Sequence, residues 1–465
     1  MPISFDHENT PHRLMSRREF MKLSALASAG VLAGCAINPV TGENQFMLVS
    51  EDWEIQVDKE NAPHQFSSDY GPAQDASLNR YIQQVGTAMI PHTHRPHMPC
   101  SFRCVNATYI NAYAFPGGSI AATRGIMLSL ESEAELAALL GHELGHVNAR
   151  HTARQMSKGL LTQAIVAGVS VAAATQDQIY GDIAAGIGMV GAGMLLASYS
   201  RDNEREADHL GMTYLTRSGY GPDGMVQLMD MLNSMHQGGA DAVSLLFSTH
   251  PMSKERYDTA VREAGSDFAG FKDKPLYRER YMDNIASLRK IKPAIELFQK
   301  GDESVARKKY NEAETALQQG LRLAPADYAG LMIMAKCKVA QEKYGQALEF
   351  SELARQAYPQ EAQADYVSGF CKLKLKKPDE AVSNFTAYDQ KLPGNPNTIF
   401  FRGFAYEEMG SQKKAADDYT AYLNQVTEGE QAQYAYDRLV KWGVVKPQPE
   451  PEPEPKEKKK KKRNP

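Results

Sequence analysis

His142 and His146 stand four residues apart, with Glu143 directly after the first of them. Upstream, Glu131 to Leu140 is rich in Ala, Leu and Glu and carries apolar residues at helical spacing, which predicts a helix running on through His146. Positions i and i+4 of a helix share a face, one turn apart. Two neutral imidazoles placed this way can bind one Zn²⁺, and a glutamate beside them can take a proton from the water that such an ion activates. The bland alternative is a partly buried helix with two ordinary histidines, so the pentapeptide needs support from elsewhere in the chain.

A catalytic zinc needs a third protein ligand and an open fourth position. A third histidine six residues past His146, with Gly in between, would mark a metzincin, but Ala149 and Thr152 hold those places. Acids come instead from Ser200 to His209, a second helix-like segment in which Glu204 and Asp208 share a face and Glu206 points away. Glu204 is therefore the expected third ligand, and Asp208 the acceptor that orients a ligand histidine. The competing reading of this charged run is a solvated helix face.

Three stretches together resemble a known family. His142 to His146, Asn203 to Asp208, and Asn111-Ala-Tyr-Ala-Phe-Pro-Gly-Gly-Ser-Ile-Ala-Ala-Thr-Arg-Gly125 are similar to the motifs of the HtpX and CAAX-prenyl-endopeptidase family of zinc metallopeptidases, nearest to its soluble, TPR-bearing, BepA-like periplasmic branch. The resemblance spans about Ser50 to Ala264. It implies a gluzincin-type metallopeptidase domain holding one zinc per chain on His142, His146 and Glu204, with Glu143 as general base. Helix spacing alone points to the same four residues.

The elements that position them can be read along the chain. At 465 residues the protein is too long for one hydrophobic core and should hold two or three domains. The formal net charge of −4 hides a split. Lys456 to Arg463 holds seven bases and one acid, a net +6, which leaves −10 on the rest and no nucleic-acid footprint there.

Residues 1–35 are expected to be an export signal. Ser16 to Lys22 resembles a twin-arginine motif, and Leu23 to Leu32 is apolar but too short to span a bilayer. Leu32-Ala-Gly-Cys35 resembles a lipobox, with Cys35 as the lipid-modified residue and Ala36 in place of an inner-membrane retention Asp. Cys100 and Cys104 sit on a strand-like segment, separated by roughly 13 Å and too far apart for a bridge. They and Cys337 and Cys371 read as packed thiols.

Ser50 to Ile90 reads as helical, with Leu78, Tyr81, Ile82, Val85 and Met89 on one face. His92, His94 and His97 follow in a Pro-rich turn, where solvated histidines are the ordinary outcome. Phe102 to Ala122 is β-rich, with a hairpin signal at Pro116-Gly-Gly118. Asn111 to Ala114 is a candidate edge strand for a peptide substrate, with an interior strand equally open. Leu160 to Ala174 and Ile183 to Ala197 are apolar runs of about 15 residues, short of the ~20 that cross a bilayer, and read as two buried helices. A helix is expected from Asp208 to about Met235. Phe247 to Arg256 resembles the family's Thr-His-Pro segment, so His250 could gate the site or take the open metal position at rest, with a loop histidine that only packs equally open.

From Ala294 to about residue 440 the pattern changes. Ala313, Ala347, Ala381 and Ala415 fall 34 residues apart, as do Pro325, Pro359 and Pro393. That period, with small residues at helix contacts, predicts about four TPR-like repeats in an α-solenoid. The tail from Pro447 cannot bury a core and should be disordered, with anionic lipid or cell wall as a possible contact.

The expected fold class is α+β, mainly helical, with the peptidase domain at 50–285, repeats at 294–440 and the tail at 447–465. The expected function is a lipid-anchored zinc metalloendopeptidase of the bacterial envelope, on the periplasmic side of the outer membrane, acting in protein quality control. Its substrates would be misfolded or stalled polypeptides, and its repeats would recruit a client or an outer-membrane assembly machine. The alternatives are a non-catalytic envelope chaperone or adaptor, against which intact Glu143 argues, and an intramembrane protease.

Overall fold

The computed structural model describes residues 35–157, 198–238 and 243–446. The twin-arginine leader, the apolar runs at Leu160 to Ala174 and Ile183 to Ala197, and the charged tail lie outside the described residues. The chain divides into two compact units, Met1–Ala364 and Asp365–Pro465.

The first unit opens with a hairpin of β1 (Cys35–Ile37) and β2 (Asn44–Phe46), then α1 (Glu51–Ser68) and α2 (Ala76–Met89). The Asp75 side chain accepts from Ser77 N and Leu78 N to start α2, and the five expected apolar positions of that helix are buried. Next come β3 (Ser101–Val105), β4 (Ala112–Ala114) and β5 (Ser119–Thr123). They form one mixed sheet in the order β3-β5-β4, with β3 parallel and β4 antiparallel to β5. The turn between β4 and β5 passes through Gly118 at φ +105°, where a side chain would be strained.

Helices follow: α3 (Arg124–Ser129), α4 (Glu133–Asn148), α5 (Arg201–Arg217), α6 (Asp223–Gly238), α7 (Ser244–Thr249), α8 (Lys254–Gly265), α9 (Arg278–Asn284) and α10 (Ala286–Lys290). The single helix expected from Asp208 to Met235 is in fact two. Ser218-Gly-Tyr-Gly-Pro222 breaks it, with Gly219 at φ +92° and a proline that cannot donate to the ladder. Leu136, Leu140 and Leu144 of α4, Leu210 and Leu215 of α5, and Met225 and Leu228 of α6 share one core. Among the described residues no helix is long and apolar enough to cross a membrane.

The repeat pattern begins inside the first unit with α11 (Lys292–Ala306), α12 (Tyr310–Leu323), α13 (Tyr328–Ala340) and α14 (Tyr344–Ala357). The second unit carries α15 (Gln363–Lys374), α16 (Pro378–Lys391), α17 (Pro396–Glu408), α18 (Gln412–Leu423) and α19 (Glu430–Lys441), α15 starting just before its boundary. Ala313, Ala347, Ala381 and Ala415 are fully buried, each at the same place in its helix. The fold is therefore mainly helical, with a small mixed sheet and repeated helix pairs behind it.

A second 34-residue series appears in the backbone. Lys308, Glu342, Lys376 and Gly410 have φ of 59°, 58°, 59° and 72°, and each closes the helix before a repeat turn. Only one is glycine, and the left-handed region costs about 1–2 kcal/mol for a residue with a Cβ. Lys308→Gly is expected to raise the free energy of unfolding in urea by up to about 1 kcal/mol, the unfolded-state entropy of glycine offsetting part of the gain. A lower value would show that the lysine side chain contributes more than its backbone strain costs.

Candidate metal centre

Helices α4 and α5 meet backbone to backbone. A Cβ on Gly141 would lie 3.0 Å from Gly211 O, one on Gly145 2.9 Å from Ala207 Cα, and one on Gly211 2.8 Å from His142 N. Their N-termini are set by side-chain caps: Ser132 Oγ accepts from Glu135 N at 3.2 Å and Ser200 Oγ from Asn203 N at 3.2 Å. The caps fix where each helix begins, and the close approach at the glycines sets His142 and His146 of α4 against Glu204 and Asp208 of α5.

His142 Nε2 and His146 Nε2 stand 3.0 Å apart. Glu204 Oε1 is 3.4 Å from His146 Nε2, and its Oε2 is 3.7 Å from His142 Nε2. His250, at the end of α7, brings Nδ1 to 3.1 Å from Glu204 Oε1 and 3.4 Å from His142 Nε2. All four residues are buried, and their donor atoms lie within 4.8 Å of one another.

Asp208 Oδ1 is 2.9 Å from His142 Nδ1. Arg256, in the first turn of α8, bonds both oxygens of Asp208 at 2.7 Å, from Nε and from Nη2. Its Nη1 lies 2.7 Å from Glu204 Oε2. One buried guanidinium thus ties the two acids of α5 together. Burial by itself would raise the Glu204 carboxyl, but His250 and Arg256 overcome it and hold it well below the ordinary value. Burial likewise opposes ionisation of Asp208, and Arg256 reverses the sign. Burial drives His146 well below the usual imidazole range and keeps the ring neutral.

Glu143 lies on the same helix, beside a cavity of about 20 Å³ lined by His142, His250, Leu228, Leu232 and Leu246 among others. That is room for about one water. Burial pushes its carboxyl up, against the pull of His250 and His142. Glu143 Oε2 has no hydrogen-bond partner among the described residues, and Oε1 is 3.9 Å from His250 Nε2.

The geometry fits a zinc ion. Asp208 Oδ1 lies 2.9 Å from His142 Nδ1, and a proton held on that nitrogen would leave the ring's lone pair on Nε2, facing the Nε2 of His146 and a carboxylate oxygen. Convergent lone pairs at such distances repel one another unless a cation lies between them. Tetrahedral zinc with bonds of 2.0–2.1 Å sets its ligands roughly 3.3 Å apart, and the separations here run from 3.0 to 3.7 Å. Two or three imidazoles with one carboxylate are a donor set that suits zinc.

The structure brings six of the sequence-predicted site residues together: His142, Glu143, His146, Glu204, Asp208 and His250. Cys35 begins β1, away from this group in the chain. Sequence reasoning passed over Arg256 except as the end of a motif, and missed His151 and Tyr199, which lie against His146, and the pairing of Glu206 with His151. β4 stands at one edge of the sheet and packs beside α4, with its side chains buried. In the histidine turn His94 and His97 are both exposed, as expected, each with a partner: His97 Nε2 lies 2.8 Å from Glu51 Oε1 and His94 Nδ1 2.7 Å from Tyr214 Oη. Cys100, Cys104, Cys337 and Cys371 are all unbridged.

Residues 76–264, from the start of α2 to the end of α8, match the model of Peptidase family M48. The chain is 30% identical over 194 residues to the beta-barrel assembly-enhancing protease of Yersinia pestis, covering 41% of this chain and 40% of that protein. It is 28% identical over 221 residues to the mitochondrial metalloendopeptidase OMA1 of Schizosaccharomyces pombe, covering 47% of this chain and 63% of that protein. In both the matched stretch is less than two thirds of the relative's length. Among solved structures, YrrB, described as a TPR protein with an unusual peptide-binding site, aligns at a TM-score of 0.30 and 17% identity, covering 46% of this chain and 99% of its own.

Proposed function

We propose that this chain is a zinc metalloendopeptidase of the bacterial envelope. The observation that carries the proposal is the buried convergence of His142, His146, Glu204 and His250 next to Glu143, whose carboxylate has an oxygen left without a partner. When bound, zinc supplies Lewis-acid polarisation of a peptide carbonyl and activation of water. His142, His146 and Glu204 would hold it, with Asp208 and Arg256 keeping His142 and Glu204 in place. Glu143, its carboxyl raised by burial, takes a proton and later returns it to the leaving amine. β4 is an edge strand of its sheet, and a substrate that pairs with it as a further strand through main-chain bonds, which suits unfolded polypeptide of varied sequence, would first have to uncover it, since its residues are buried.

A lipid on Cys35 would hold the protein to the outer membrane, facing the periplasm. The repeats would recruit clients or an outer-membrane assembly machine, a role in keeping with a relative called a beta-barrel assembly-enhancing protease. Cleavage of casein by purified full-length chain, followed with zinc present and after chelation, tests the activity. No cleavage by zinc-loaded protein would leave the chaperone or adaptor reading in its place. Labelling of Cys35 by a fatty-acid probe tests the anchor.

His250 Nδ1 lies 3.4 Å from His142 Nε2 and 3.1 Å from Glu204 Oε1, near enough to supply a fourth ligand. We infer a resting state closed by its imidazole. If nine chains in ten are closed, removal of the ring raises turnover about tenfold. His250→Ala is therefore expected to cleave casein on the order of tenfold faster while holding zinc less tightly. An unchanged rate would leave the gate without support.

A further inference from the structure

His146 is placed differently from His142. Helix α4 ends at Asn148, Arg150 takes a left-handed conformation at φ 58°, and the chain turns helical again at residue 151. That reversal is pinned: Arg150 Nε lies 3.1 Å from both oxygens of Glu54, and its Nη2 is 3.0 Å from Val49 O. Its effect is to fold His151, fully buried, back onto the metal helix. His151 Nδ1 is 2.9 Å from His146 Nδ1, and His151 Nε2 is 3.0 Å from Glu206 Oε2.

The order of donors and acceptors along this row follows from its outer end. An ionised Glu206 only accepts, so His151 must donate from Nε2, which leaves its Nδ1 as an acceptor. The group facing that acceptor is His146 Nδ1, which must then carry the proton. The lone pair of His146 is left on Nε2, the atom aimed at His142 and Glu204. Tyr199 fixes the plane of the same ring, stacked at 3.8 Å between centroids and 21° between planes, with Thr152 Oγ1 2.9 Å from its hydroxyl. A histidine that merely filled space at 151 would need neither this proton order nor a carboxylate behind it.

We propose that His151 and Glu206 are a positioning couple for His146, matching what Asp208 does directly for His142, and that they set the affinity of the site for zinc. The inference rests on His142, His146 and Glu204 being a metal site. Neither residue touches substrate.

The test is zinc affinity of the full-length chain, measured by competition with a chromophoric chelator, together with the thermal midpoint of the metal-free protein. Partners of this kind typically contribute 10–100-fold to metal affinity. His151→Leu is expected to weaken zinc binding 10–100-fold. His151→Asn, whose Oδ1 stands where Nδ1 stood and can accept from His146, is expected to stay within about threefold of native. Glu206→Ala, at a partly exposed position that tolerates truncation, should weaken binding by roughly threefold to tenfold, because His151 is then free to reverse its proton. Native affinity in both His151→Leu and Glu206→Ala would overturn the proposal, as would equal losses in the Leu and Asn variants, which would mark simple ring packing. If His151→Leu fails to fold, the Asn and Glu206→Ala affinities decide by themselves. A native chain that binds no zinc would instead remove the metal-site reading beneath it.

Discussion

Glu143→Gln is expected to bind zinc like the native chain and to cleave casein about 10²–10⁴-fold more slowly. Glutamine keeps the shape of the side chain and removes its ability to accept a proton. Glu143 is not among the four residues whose donor atoms converge, and its Oε1 stands 3.9 Å from His250 Nε2. Metal content per chain and initial rate, measured on the same preparation, check both halves. A rate near native would assign proton transfer to another group and undo the role given to Glu143. Lost zinc would show that the residue supports the site rather than the reaction.

Arg256→Leu should be the most damaging change to the metal-free protein. It strands Glu204 and Asp208, both buried, without the guanidinium that lies 2.7 Å from each. Breaking a buried ion pair from one side costs about 3–5 kcal/mol. The pH dependence has a definite sign. In the native chain the Asp208 and Glu204 carboxyls are depressed on folding, so the stability they contribute is present above the unfolded carboxylate range and is lost as pH falls through the folded values. Without Arg256, burial acts on Asp208 against His142 alone and its carboxyl rises. The variant should therefore lose most near neutrality and less near pH 4. Urea unfolding of metal-free native and variant chains at the two pH values measures this. A deficit equal at both would refute the charge account. Zinc, by supplying positive charge and binding only the folded chain, should restore part of the loss.

Much of the site was legible because helices make spacing into geometry. His142 and His146, then Glu204 and Asp208, each lie one turn apart, and two such pairs suffice to describe a centre. The repeats were legible for a similar reason, since Ala313, Ala347, Ala381 and Ala415 keep one period. What stayed hidden depends on contacts between elements or on backbone turns without a composition signal. Glu206 was read as pointing away from the metal, which it does, but its partner His151 arrives through a left-handed turn at an arginine that nothing local marks. Arg256 acts on residues 48 and 52 positions earlier, a link that only the packing of α8 on α5 creates. The break between α5 and α6 is a different kind of miss, because Gly219, Gly221 and Pro222 were readable as a turn.

The glycine seam between α4 and α5 bears on which ions the protein can accept. Because main-chain atoms already touch at Gly141, Gly145 and Gly211, the span from the imidazoles to Glu204 is set by rigid backbone and not by compressible side chains. Contact at those glycines blocks a closer approach of the two helices, so at the proposed site an ion smaller than zinc would have to be met by rotation of the donor groups alone.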